Sequence, residues 1–180
     1  TSASSADQVL FLENGSFRTF WLFQSGNTLQ WTASGDATLS NADATIIAPG
    51  TGVLFKSALS SARSLFLTGR VRTTPFAIRV SEGNQFLTAP WPLAASPNNL
   101  AMLTGFLAST NPNTADTLQL WKGDATPGSS GYTGLWLFKN SLTATASWAY
   151  TTDAALRSQN AAMLFPINRA FFLKPAVGTR

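Results

Sequence analysis

Ala6-Asp7-Gln8-Val9-Leu10-Phe11 returns later in the chain as Ala115-Asp116-Thr117-Leu118-Gln119-Leu120, and this recurrence decides how the fold is read. Three further stretches recur in the same order. Phe20-Trp21-Leu22-Phe23 matches Leu135-Trp136-Leu137-Phe138, and Trp31 matches Trp148. The run from Ala44 through Pro49 to Val53-Leu54-Phe55-Lys56-Ser57-Ala58 matches Ala161 through Pro166 to Phe171-Phe172-Leu173-Lys174-Pro175-Ala176. The spacing grows from 109 residues between Asp7 and Asp116 to 118 between Ala58 and Ala176, as insertions in loops produce. One match could arise by chance; an ordered set, each anchored by a Trp, Pro or Asp, points to duplication. Residues 59–114 lie between the copies and have no counterpart ahead of the first. The chain therefore divides into a partial first repeat unit, 1–58, and a complete second unit, 59–180, which includes the connecting segment 59–114. Alternatively the two form one continuous β domain.

Within the repeats, short runs rich in Phe, Trp, Leu, Val and Thr alternate with Gly, Asn, Pro and Ser. The runs are Val9 to Leu12, Phe17 to Phe23, Thr45 to Ile47, Gly52 to Lys56, Ser64 to Leu67, Phe76 to Val80 and Asn84 to Ala89. Thr117 to Trp121, Gly134 to Phe138, Thr145 to Tyr150, Met163 to Phe165 and Ala170 to Lys174 complete the set. Asn14-Gly15, Ser25-Gly26-Asn27, Pro49-Gly50, Gly83-Asn84 and Pro127-Gly128 mark turns. This pattern predicts an all-β chain: antiparallel β-sandwich or barrel-like units with an internal, unequal duplication. At most one short helix is expected, over Pro97 to Ala108, where Leu100, Leu103 and Leu107 fall at helical spacing; a buried irregular loop is the equal alternative.

At these residues the sequence resembles a family of exported bacterial repeat-containing β-proteins of unassigned function. Their repeats run through an Ala-Asp strand, a Trp-rich strand and a Pro-Gly-Thr-Gly-hydrophobic strand, here Ala48-Pro49-Gly50-Thr51-Gly52-Val53-Leu54-Phe55-Lys56. The joining element, Thr74-Pro75-Phe76 with Ser81-Glu82-Gly83-Asn84-Gln85-Phe86 and Pro90-Trp91-Pro92, is also similar. The second copy departs from the pattern, with Pro166-Ile167-Asn168-Arg169 in place of Pro-Gly-Thr-Gly. The resemblance implies a β fold and an exported context, and it names no activity.

Composition narrows the chemistry. The 180 residues contain neither Cys nor His, which removes disulfides, thiolate nucleophiles, imidazole bases and the usual zinc ligands. Charged residues make up only 11% of the chain, against about 25% in an ordinary domain, so the surface is polar but largely uncharged. The net charge is +4, and Arg63, Arg70, Arg72 and Arg79 are too sparse and too little interleaved with aromatics for a nucleic-acid face. No apolar run approaches the roughly 20 residues of a membrane-spanning helix. The small, polar start Thr1-Ser2-Ala3-Ser4-Ser5-Ala6 reads as a mature terminus, which places the protein outside the cell, secreted or on the cell surface.

No acid sits in a catalytic motif. Asp36, Asp43, Asp124 and Asp153 are scattered, and Asp7 and Asp116 precede strands, where a carboxylate ordinarily accepts backbone N–H groups. No catalytic, cofactor or metal residue is assigned, and the protein is read as a non-enzyme. The first functional expectation is a self-assembling structural subunit of a filament, sheath or surface layer. It would pair head to tail with copies of itself through a candidate edge at Val9, Leu10, Phe11, Leu12, Phe17 and Phe20. The alternative is a carbohydrate-binding module that stacks polysaccharide on Trp31, Trp91 and Trp121. Trp21 and Trp136, set at equivalent positions among Leu and Phe, are expected in the core.

Overall fold

The computed structural model describes residues 2–59, 77–78, 80, 83–88, 93–121, 131–162, 164–166 and 169–177. The chain forms two compact units, Thr1–Val71 and Arg72–Arg180. It is all-β, with two antiparallel sheets, and its helical content among the described residues is two single 3₁₀ turns, Ala3–Ser5 and Pro112–Thr114.

In the first unit β1 (Gln8–Glu13), β2 (Ser16–Ser25), β3 (Thr28–Ala33) and β4 (Val53–Lys56) pair in the order β3-β2-β1-β4. Asn14-Gly15 joins β1 to β2 with φ of 51° and 79°, the left-handed pair that a two-residue hairpin requires. In the second unit β5 (Gln85–Thr88), β6 (Thr117–Trp121), β7 (Tyr132–Lys139), β8 (Ala146–Tyr150) and β9 (Ala170–Lys174) pair in the order β5-β9-β6-β7-β8.

The repeat reappears in register. Gln8 faces Trp21 and Lys56 in the first sheet; Thr117 faces Trp136 and Lys174 in the second. Leu22 pairs with Trp31 as Leu137 pairs with Trp148. Beyond β3 and β8 the chain makes the same turn twice. Asp36 accepts from the Thr38 and Ser40 backbone N–H groups, and Asp153 from those of Ala155 and Arg157. Leu39 and Leu156 both take a positive φ there, 53° and 50°. Each turn then returns a side-chain oxygen to its strand: Asp43 Oδ1 accepts from Trp31 N–H at 2.7 Å, and Asn160 Oδ1 from Trp148 N–H at 2.8 Å.

The two units differ in what lies over the sheet. In the second, Ala95, Met102, Phe165 and their neighbours pack onto Leu118, Leu135, Leu137, Trp148, Phe171 and Leu173, forming the principal core. That covering layer is irregular chain. The expected helix over Pro97 to Ala108 is a chain of turns, because Ala101 takes φ 52° and Gly105 φ 80° and neither continues a right-handed helix. In the first unit β4 is exposed along its whole length, whereas its counterpart β9 is largely buried. Val53 is 42% exposed and Phe171, at the matching position, 5%.

Most expected strands appear within a residue or two. Thr45 to Ile47 is irregular; of Met163 to Phe165, Met163 lies outside the described residues and Phe165 forms an isolated bridge with Ala95. Thr28–Ala33 is a strand the apolar runs did not mark, since Thr-Leu-Gln-Trp-Thr-Ala alternates polar with apolar side chains. The expected strand over Ser64 to Leu67, the turn at Pro127-Gly128, and Arg63, Arg70, Arg72, Arg79, Trp91 and Asp124 lie outside the described residues. Phe76 to Val80 is described only in part.

Candidate functional site

The carboxylates singled out by the repeat serve the backbone. Asp116 is fully buried; its Oδ1 accepts from Ala176 N–H at 2.6 Å and its Oδ2 from Leu107 N–H at 2.9 Å. Asp7 Oδ1 accepts from Ala58 N–H at 2.7 Å. The capping expected of these residues is therefore long-range. Each carboxylate ties the start of one strand, β1 or β6, to the chain just past the strand beside it, β4 or β9. Asp36 and Asp153 cap their own turns. The Thr38 hydroxyl, then the Thr38 and Ser40 N–H groups, hold the Asp36 carboxyl at about 2, and Arg157 draws Asp153 below the usual carboxylate range. Among the described residues no group of three or more acids comes together where it could hold a metal ion.

The proposed assembly edge is corrected by the strand order. Val9, Leu10, Phe11 and Leu12 lie in β1, which is paired with β2 on one side and β4 on the other. Phe17 and Phe20 lie in β2; Phe20 has β1 on one side and β3 on the other, and Phe17 pairs with Leu12 of β1. β4 returns to pair with Val9, Leu10 and Phe11, so these three have a strand on each side, while Leu12 lies past the β4 pairing and Phe17 past the β3 pairing, 42% exposed. Phe11 and Phe20 are buried and stacked at 5.5 Å, with Arg18 over the Phe20 ring. The exposed large apolar residues of this unit include Phe17, Leu29, Ile46, Ile47, Val53, Leu54 and Phe55.

The tryptophans divide by environment. Trp21 and Trp136 are 6% and 5% exposed, each edge-on to a Phe two residues on, Phe23 at 5.5 Å and Phe138 at 5.4 Å. Trp148 is fully buried and donates from Nε1 to the Met102 carbonyl at 2.7 Å. Trp31, a candidate for stacking, is half-buried on β3. Trp121 is 41% exposed at the end of β6, edge-on to Tyr132 at 5.0 Å.

Beside Trp121 the second unit opens a cleft of about 430 Å³. Leu120, Phe165 and Phe171 are among its apolar lining residues, and Thr133, Tyr150 and Arg169 among its polar ones. A second cleft of about 400 Å³ shares Tyr150 and continues past Thr152 and Gln159. Tyr150 and Arg169 carried no signal in the sequence, because only the return of β9 beside β6 brings Arg169 to the end of the sheet that carries Trp121. Comparison with protein-family models, curated proteins and solved structures finds no match to this chain.

Proposed function

We propose that this protein is a non-enzymatic structural subunit of the cell exterior that assembles with copies of itself. The observation that carries the reading is the unequal finish of two otherwise matching units. β9 buries Phe171 and Leu173 in the core of the second unit, while β4 exposes apolar side chains on both faces: Val53 at 42% and Leu54 at 40%. Ile46 at 89% and Ile47 at 39% add further exposed apolar surface, and its burial would favour association. Low charge supports the choice of a second copy as partner, since little repulsion separates one molecule from the next. The exposed surface of the first unit would meet a different surface of its neighbour, and such contacts extend into filaments or close into rings.

Deleting residues 1–12 is no test, since it removes most of the strand that holds both β2 and β4. Light scattering across a concentration series is. The expected result is mass rising with concentration in the intact chain and a monomer in Val53→Lys. A monomer at every concentration in the intact chain overturns the reading.

A further inference from the structure

We infer that the sheet of the first unit is one strand short at β4, and that a second copy of the chain completes it by laying the edge of its β5 along β4. The inference rests on the self-assembly reading and names the two surfaces that meet.

The two sheets differ by one strand. The first runs β3-β2-β1-β4 and the second β5-β9-β6-β7-β8. β9 matches β4, and β5 lies on β9 where, among the described residues, no strand lies on β4. Antiparallel strands bond alternate residues to one neighbour and the residues between them to the other. The Leu22 N–H donates to the Asp7 carbonyl, which sets that alternation in the first sheet: Leu54 and Lys56 turn their backbone groups to β1, and Val53 turns its own away. The Leu137 N–H donates to the Asp116 carbonyl in the same way, so Phe171, at the register of Val53, turns away from β6. There it faces Leu87 of β5. The second unit supplies the template for what lies beside Val53, and it is an extended strand.

Two of the remaining edges are closed, and by the same device. At β3 the Trp31 N–H donates to Asp43 Oδ1 and the Trp31 carbonyl accepts from the Ala42 N–H, so the returning turn occupies that flank. At β8 Trp148 does the same with Asn160 Oδ1 and the Gln159 N–H. Covering an edge with a loop is one way natural sheets avoid unwanted pairing. β4 has no such return among the described residues, is exposed along its length, and carries Lys56 as its one charge. β5 ends the second sheet. Pairing β4 with β4 of another copy would leave β5 at the end of both sheets, whereas β4 on β5 uses both edges and repeats from copy to copy. Leu87 turns its backbone to β9, so Thr88 turns outward, and the alternation allows one full antiparallel overlap of the two four-residue strands. In it Val53 faces Thr88 and Leu54 faces Leu87. Backbone hydrogen bonds along that seam supply the affinity.

Val53→Pro removes the outward N–H and spares the bonds to β1, which come from Leu54 and Lys56; proline is tolerated on such an edge. In sedimentation velocity across a concentration series, Val53→Pro should need at least about tenfold more protein to assemble than the intact chain, with unchanged thermal unfolding. The chain has no cysteine, so a trapped disulfide reports only the residues introduced. Leu54→Cys mixed with Leu87→Cys and oxidised with diamide should give a disulfide-linked dimer, since directly opposed residues of this kind lie about 4.5 Å apart between Cα atoms. Leu54→Cys alone should give none. Where the intact chain assembles, three results each overturn the β4–β5 contact and leave self-assembly standing: no mixed dimer, a dimer from Leu54→Cys alone, or a folded Val53→Pro that assembles as the parent does. If Val53→Pro loses its fold, the trapping result decides. A monomer at every concentration in the intact chain overturns both readings.

Discussion

The Asp116 carboxylate and the Ala176 backbone N–H lie 2.6 Å apart, a hydrogen bond made across 60 residues of chain. It closes the sheet at one end, since Asp116 precedes β6 and Ala176 follows β9. Its partner bond from Leu107 fixes the end of the covering layer to the same carboxylate. Asp116→Ala leaves both N–H groups without their acceptor and should cost about 1–3 kcal/mol, the range for a buried donor left unsatisfied. Asp116→Asn keeps one acceptor oxygen and should cost less. Chemical denaturation of the parent and the two variants gives the order.

Trp31 and Trp148 occupy matching positions with unequal burial. Trp148 lies beneath Phe106, edge-on at 5.9 Å, and Met102. Trp148→Ala should cost about 3–5 kcal/mol, as for other large core aromatics. Trp31→Ala, from a half-buried position, should cost about half as much. Equal losses would show that the first unit buries Trp31 as deeply as the second buries Trp148.

Thr32 is fully buried, and its hydroxyl has no hydrogen-bond partner among the described residues. It faces Trp21 across the strands, where the second unit sets Ala149 against Trp136. An unmet buried hydroxyl costs about 1–3 kcal/mol, so Thr32→Val should hold or raise stability. A loss above about 1 kcal/mol in a denaturation curve would mean that the hydroxyl has a partner.

Asp36 titrates at about 2 in the folded chain, against 3.8 ordinarily, because the Thr38 and Ser40 groups bind its charged form. A depressed folded value contributes stability above the unfolded value and loses it as pH falls through the folded one. The turn over residues 36–40 should therefore hold at pH 5 and loosen progressively between about pH 4 and 2. Carboxyl chemical shifts followed by NMR should place the midpoint near 2, and Thr38→Ala should move it toward 3.8. An unmoved midpoint would assign the shift to other groups.

Val53 and Phe171 share a register position on β4 and β9. A lysine should be tolerated at Val53 within about 0.5 kcal/mol, as at exposed sites generally. At Phe171, 5% exposed against the core, it should unfold the second unit. Thermal unfolding monitored by circular dichroism separates the two outcomes.

The sequence by itself determined that the chain is β and where most of its strands fall. Those features depend on neighbours along the chain: alternation, turn residues such as Asn14-Gly15, and aromatic pairs that recur at fixed spacing. It also pointed to Asp7 and Asp116 as acceptors of backbone N–H groups, though the expected local partners are replaced by Ala58 and Ala176, 51 and 60 residues away. Three decisions were left to the tertiary structure. Strand order gave Val9 to Phe11 a second neighbour in place of the expected open edge, because pairing on the far side of β1 depends on where β4 returns 40 residues later. Ala101 and Gly105 turned a segment of helical spacing into a chain of turns, since the sheet beneath selects which residues point down. The cleft at Trp121 assembled Tyr150 and Arg169 from separate strand ends, and residues that meet only through folding leave no spacing to read.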